Sequence, residues 1–101
     1  MITLNDINII EGEDETSEVE YYSAIQKAIN TGLWGLQGSY GRTMMEAISA
    51  GYCLLGRNEA QDYYGNHIPS RDQVQAGTKG SFDFVAKEYS EGWAQYMSEV
   101  E

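Results

Sequence analysis

Val19, Tyr22, Ile25, Ala28 and Ile29 recur at three- and four-residue steps, the spacing that collects apolar side chains on one face of an α-helix. Just ahead of them, Ser17-Glu18-Val19-Glu20 fits a capping box, in which a serine and the glutamate three residues on satisfy each other's backbone donors. Gly32 is a natural stop. The pattern predicts a helix over 18–31. A second is predicted from a Ser39 cap over 39–50, with Tyr40, Met44, Ala47 and Ile48 as its apolar face and Gly51 at its end. Gly38 and Gly41 in this stretch are spaced to let another backbone approach. A third is predicted over 82–98 behind Ser81, where Phe82, Val85, Tyr89, Trp93, Tyr96 and Met97 form a stripe that should face the core.

The remaining segments carry weaker patterns. Ile2 and Leu4 alternate with polar residues and predict a short strand within 2–10, interrupted by Asn5-Asp6. Residues 11–16 read as a charged loop. Tyr52-Cys53-Leu54-Leu55 is fully apolar and reads as either a buried strand or an extended core segment, which periodicity alone does not decide. From Gly56 to Gly80 turn chemistry dominates, with Gly65-Asn66 as punctuation and Pro69 biasing Ile68 toward an extended backbone. The expected fold is mainly α: a three-helix single domain over 1–101, with one or two short strands, packed around Trp34, the 52–55 segment and Ile68. An α+β fold is the alternative.

Charge sharpens this picture. Sixteen acidic and six basic residues give a formal net charge of -10 over 101 residues. Residues 1–33 hold seven acids and one base, residues 34–80 four of each, and residues 81–101 five acids and one base. Both ends are acidic and the middle is neutral. Such a chain repels nucleic acids and anionic membranes, which require Lys and Arg, and attracts basic partners. Cys53 is the sole cysteine, so no internal disulfide forms. No apolar run is long enough to cross a membrane. The start of the chain lacks the basic and apolar regions of a signal peptide, so a cytoplasmic location is expected.

Candidate chemistry is sparse. The acidic run from Glu11 to Glu20 has two readings. Its carboxylates imitate a phosphate backbone, able to block the basic groove of a nucleic-acid-binding protein, or they form a solvated loop entering a capped helix. As a calcium loop counted from Glu11 it fails, with Thr16 where the glycine belongs and Tyr22 where the bidentate glutamate belongs. His67 is the single histidine, and no nucleophile elbow or metal-spaced histidine pair accompanies it. Gly77-Thr78-Lys79-Gly80-Ser81 places its lysine before the glycine, which breaks the phosphate-loop order and leaves a turn and cap. Cys53 reads as a buried thiol and Met44-Met45 as core packing.

The middle segment resembles a known group. Gly38-Ser39-Tyr40-Gly41-Arg42, Met45-Glu46-Ala47-Ile48, Gly51-Tyr52-Cys53-Leu54, Asp62-Tyr63-Tyr64-Gly65-Asn66, Ile68-Pro69-Ser70-Arg71 and Gly77-Thr78-Lys79-Gly80-Ser81 together resemble small accessory proteins of tailed bacteriophages. The resemblance covers about residues 34–85 and leaves the acidic ends outside. It carries no catalytic residues. It implies a viral accessory role in the host cytoplasm, of the kind that inhibits a host defence or housekeeping complex.

The leading expectation is therefore a non-enzymatic inhibitor or modulator of a host nucleic-acid-handling or defence complex. It would bind a basic surface on a host protein through Glu11, Glu13, Asp14 and Glu15. The first rival is an adaptor or assembly protein that binds through the Tyr- and Gly-rich middle, at Tyr63, Tyr64, Asn66 and Arg71. The second is a small enzyme or small-molecule binder using His67, Asp62 and nearby arginines. No catalytic residue, metal or cofactor is assigned.

Overall fold

The computed structural model describes residues 3–12, 17–35 and 38–101. The fold is mainly α, with five helices and a small antiparallel sheet among the described residues. Helix α1 (Leu4–Ile10) stands where the alternation of Ile2 and Leu4 predicted a strand. The correction has a local cause. Thr3 Oγ1 accepts from the Asp6 N–H at 3.1 Å, and Asp6 Oδ2 accepts from the Thr3 N–H at 2.9 Å. Asn5-Asp6, which looked like an interruption, belongs to the first turn of a capped helix. Lys27 Nζ, 3.4 Å from Asp6 Oδ1, ties α1 to its neighbour.

Helix α2 (Glu18–Thr31) forms as the pattern predicts, from the Ser17 box to Gly32 in the left-handed region. Its inward face carries Ala24, Ile25, Ala28 and Ile29, with Gln26 equally buried. Val19, counted on the apolar face, is exposed, as are Glu18 and Glu20 beside it in the first turn. A 3-10 turn (Leu33–Gly35) then drops Trp34 into the core. Helix α3 (Gly38–Ser49) buries Tyr40, Met44, Ala47 and Ile48, the face read from the sequence.

The 52–55 segment is extended core chain rather than a strand of the sheet. Leu54 pairs with the Gln26 side chain, and the Leu55 N–H donates to Gly80 O at 3.1 Å. The sheet is a two-stranded hairpin, β1 (Ala60–Gln61) against β2 (His67–Ile68), with Ala60 opposite Ile68.

The third predicted helix is two: α4 (Phe82–Glu88) and α5 (Glu91–Glu99). Tyr89, at φ -120° and ψ -81°, leaves the helix, and Ser90 Oγ caps the next by accepting from the Trp93 N–H at 3.0 Å. The break resets the helical phase. Val85, Ala94 and Met97 face inward, Phe82 and Trp93 are half-buried, and Tyr89 and Tyr96 are exposed. The expected stripe is thus only partly a core face. Trp93 still anchors α5, since its Nε1 donates to Tyr52 O at 2.8 Å. Leu54, Val85, Ala94 and Met97 form a cluster beside the larger one of α2, α3 and Trp34, and Tyr22 packs against both. No helix among the described residues is long and apolar enough to cross a membrane.

Candidate protein-binding surface

The hairpin between β1 and β2 is built to display two tyrosines. The Gly65 N–H closes on Asp62 O at 3.0 Å, Gly65 takes φ +84°, and the Asp62 N–H donates to Asn66 O at 3.0 Å. This is a tight turn followed by a left-handed glycine, a common three-residue hairpin loop. The Asp62 carboxylate fastens it from within. Oδ1 accepts from the Tyr64 N–H at 2.9 Å and the Asn66 N–H at 2.8 Å, and Oδ2 accepts from Asn66 Nδ2 at 3.1 Å.

At the tip, Tyr63 and Tyr64 are 58% and 70% exposed, with ring centroids 5.2 Å apart and planes at 83°. They face Gly41, Arg42 and Met45 of α3 across a groove of about 190 Å³, with Trp34 and Ile68 among its lining residues. Met45 is exposed, so it is not the core methionine its sequence position implied. Gly41 admits no neighbouring backbone: nothing lies within 4 Å of where a Cβ would sit, and the space belongs to the groove. Among the described residues two ion pairs form, Lys27 with Asp6 and His67 with Glu59 at 3.6 Å, and Arg42 is in neither. Tyrosine, methionine and arginine around an apolar floor is the composition that protein interfaces favour over ordinary surface.

The other expected contact residues are distributed differently. Asn66 shapes the loop, since its N–H and Nδ2 are both spent on Asp62. Arg71 is half-buried and structural. It donates from Nε to Leu55 O at 2.8 Å, from Nη2 to Asn30 Oδ1 at 3.2 Å and from Nη1 to Ser98 O at 3.4 Å. Burial and the neighbouring Arg57 hold its guanidinium below its usual pKa. Arg57 Nη2 reaches Ser98 O and Val100 O, so two arginines secure the carbonyl end of α5, where cations are favoured. Glu11 ends α1, is exposed, and accepts from the Tyr40 hydroxyl. Glu13, Asp14 and Glu15 lie outside the described residues.

Of the residues named for an enzyme, Asp62 accepts hydrogen bonds within the hairpin and Arg71 donates to the Leu55 carbonyl. His67 is exposed beside Glu59, and Cys53 is buried, its thiol pushed well above the usual range by desolvation. Among the described residues no three His, Cys, Asp or Glu side chains group as metal ligands.

The hydrogen bonds into Asp62, that from the Asn66 N–H foremost, hold its carboxyl below the ordinary value. A depressed carboxyl stabilises its loop at pH above the unfolded value, and that support is lost as pH falls through the lower folded value. The Tyr64 and Asn66 amide resonances should therefore move together on acidification, with a midpoint below about 3.9. A midpoint at or above that value would show that Asp62 does not fasten the loop.

Trp34, Arg42 and Met45 are groove residues that sequence reasoning missed. Their one sequence signal was the Gly41 beside Arg42, read there as a close backbone approach. No protein-family model, curated protein or solved structure matches the chain.

Proposed function

We propose that the chain is a non-enzymatic binding protein whose contact surface is the groove between the Tyr63–Tyr64 hairpin and α3. One observation carries this: two largely exposed tyrosines stand over an apolar groove on a loop that Asp62 holds by three hydrogen bonds. Exposed aromatic rings over an apolar groove are what interfaces use, and a loop whose backbone is fixed before binding loses less freedom on contact. The acidic ends steer a basic partner toward this surface and raise the association rate. Such a partner fits the wider reading, an inhibitor or modulator of a host nucleic-acid-handling or defence complex, for which the resemblance of residues 34–85 is the support.

A second reading keeps the carboxylates themselves as the contact. It is favoured by the scarcity of ion pairs, which leaves exposed Glu46, Glu88 and Glu91 with no cation partner among the described residues. The two readings separate in capture from bacterial lysate at low and high salt. Tyr63→Ala/Tyr64→Ala should keep its circular dichroism and lose affinity for the captured partner by about 10- to 100-fold, at both salt concentrations. Capture that vanishes with salt but ignores the two tyrosines supports the carboxylate reading and sinks the groove.

A further inference from the structure

A second cleft lies on the other side of α3. Tyr21, Tyr22 and Ile25 of α2 and Thr43, Glu46, Ala47 and Ala50 of α3 enclose about 250 Å³. The Tyr21 and Tyr22 rings stand 5.0 Å apart with their planes at 82°. Tyr22 is backed by Tyr52, stacked at 4.2 Å and 10°. Glu46 is exposed and, among the described residues, has no ion-pair partner, and no described Lys or Arg lines the cleft. Glu18 adds negative charge nearby. After burial and two neighbouring tyrosines and Cys53, it is one of the groups that raise the Tyr22 pKa.

A carboxylate at the rim of a tyrosine-walled cleft is complementary to one kind of side chain. The tyrosine rings attract a cation, the glutamate pairs with it, and the methylene stem lies against the ring edges and the exposed Ala50. We propose that this cleft receives a lysine or arginine side chain of the partner. The proposal rests on the reading that the chain binds a protein with a basic surface, and it adds where one basic residue enters. Helix α3 separates the two depressions, with Gly41, Arg42 and Met45 toward the hairpin and Thr43, Glu46 and Ala47 toward α2. A partner lying across α3 would place an apolar anchor in one and a cation in the other, about one helix diameter of ~10 Å apart.

The test needs no partner protein. The probe is acetyl-Gly-Arg-Gly-amide, titrated into the folded chain and followed by amide resonances. Its neutral citrulline counterpart is the control. The arginine peptide should shift Tyr21, Tyr22, Thr43, Glu46 and Ala47 saturably, and the citrulline peptide should not. Glu46→Gln, an exposed change that leaves the fold intact, should weaken the arginine peptide by about three- to fivefold. Shifts spread over Glu91, Glu99 and Glu101, equal binding of the citrulline peptide, or no effect of Glu46→Gln would each overturn the proposal. The Tyr63→Ala/Tyr64→Ala variant separates it from the groove. A failed titration beside tyrosine-dependent capture overturns the cleft and leaves the groove standing. A saturable titration beside tyrosine-independent capture supports the cleft and sinks the groove.

Discussion

Gly80→Ala should destabilise the protein by about 2–5 kcal/mol, whereas Gly77→Ala should cost about 1–2. Both glycines occupy the left-handed region at nearly the same angle, φ +92° for Gly80 and +89° for Gly77. Any L side chain therefore meets the same backbone penalty at either position. They differ in surroundings. A Cβ on Gly80 would sit 2.5 Å from Leu55 Cγ and 2.6 Å from its Cδ1, while one on Gly77 meets nothing within 4 Å. Leu55 has little room to retreat, because it belongs to the main core cluster and its N–H donates to Gly80 O. Relief of the clash must lengthen that hydrogen bond or open the core. The upper end of the expected loss approaches the whole stability of a small domain. Urea denaturation of both variants checks it. Equal losses would show that Leu55 repacks freely and that the close approach carries no energetic weight.

How much of this was legible in the sequence depended on how local each determinant is. The α2 face was readable because cap, apolar period and stop lie within a few residues of one another, and the α3 face through its apolar period, since Ser39, expected as its cap, falls inside a helix that starts at Gly38. Helix α1 was not, since seven residues are too few for a helical period to outweigh an accidental alternation. The break at Tyr89-Ser90 was hidden because the apolar steps run through it unbroken and neither residue is glycine or proline. Only Ser90, a good cap, marked the restart. Short strands were expected, but within 2–10 and 52–55; the observed pair was not located because two residues each carry no pattern, although the Gly65-Asn66 turn between them was visible. The site divides in the same way. Tyr63, Tyr64 and Asn66 stand together on one loop and were named from sequence. Trp34, Arg42 and Met45 reach the groove only through the packing of α3 and the 3-10 turn against the hairpin. Arg71 was misread because the groups it serves, on Leu55, Asn30 and Ser98, lie at least sixteen residues away. A surface arginine and a structural one look alike until those carbonyls are placed.

Gln26→Leu should cost about 2–6 kcal/mol although it fills the core with a side chain of similar size. Gln26 is fully buried on the inner face of α2, where its amide does the work of a neighbouring strand. Its Oε1 accepts from the Leu54 N–H at 2.8 Å, and its Nε2 donates to Leu54 O at 3.0 Å and to Asn30 Oδ1 at 3.1 Å. The 52–55 segment belongs to no sheet, so this side chain satisfies both backbone groups of Leu54, which is itself 1% exposed. Leucine would add apolar area but orphan one donor and one acceptor inside the core, at about 1–3 kcal/mol each. The effect should also spread. Asn30, freed from Gln26, is the residue whose Nδ2 holds Val100 O at 2.8 Å and whose Oδ1 receives Arg71. Hydrogen exchange in the variant should therefore quicken at Leu54 and then at the end of α5, while the hairpin amides of Tyr64 and Asn66 keep their rates. A loss within about 0.5 kcal/mol, the scale of an ordinary surface change, with Leu54 still protected, would mean that water or a shifted backbone satisfies Leu54 and that the glutamine is dispensable.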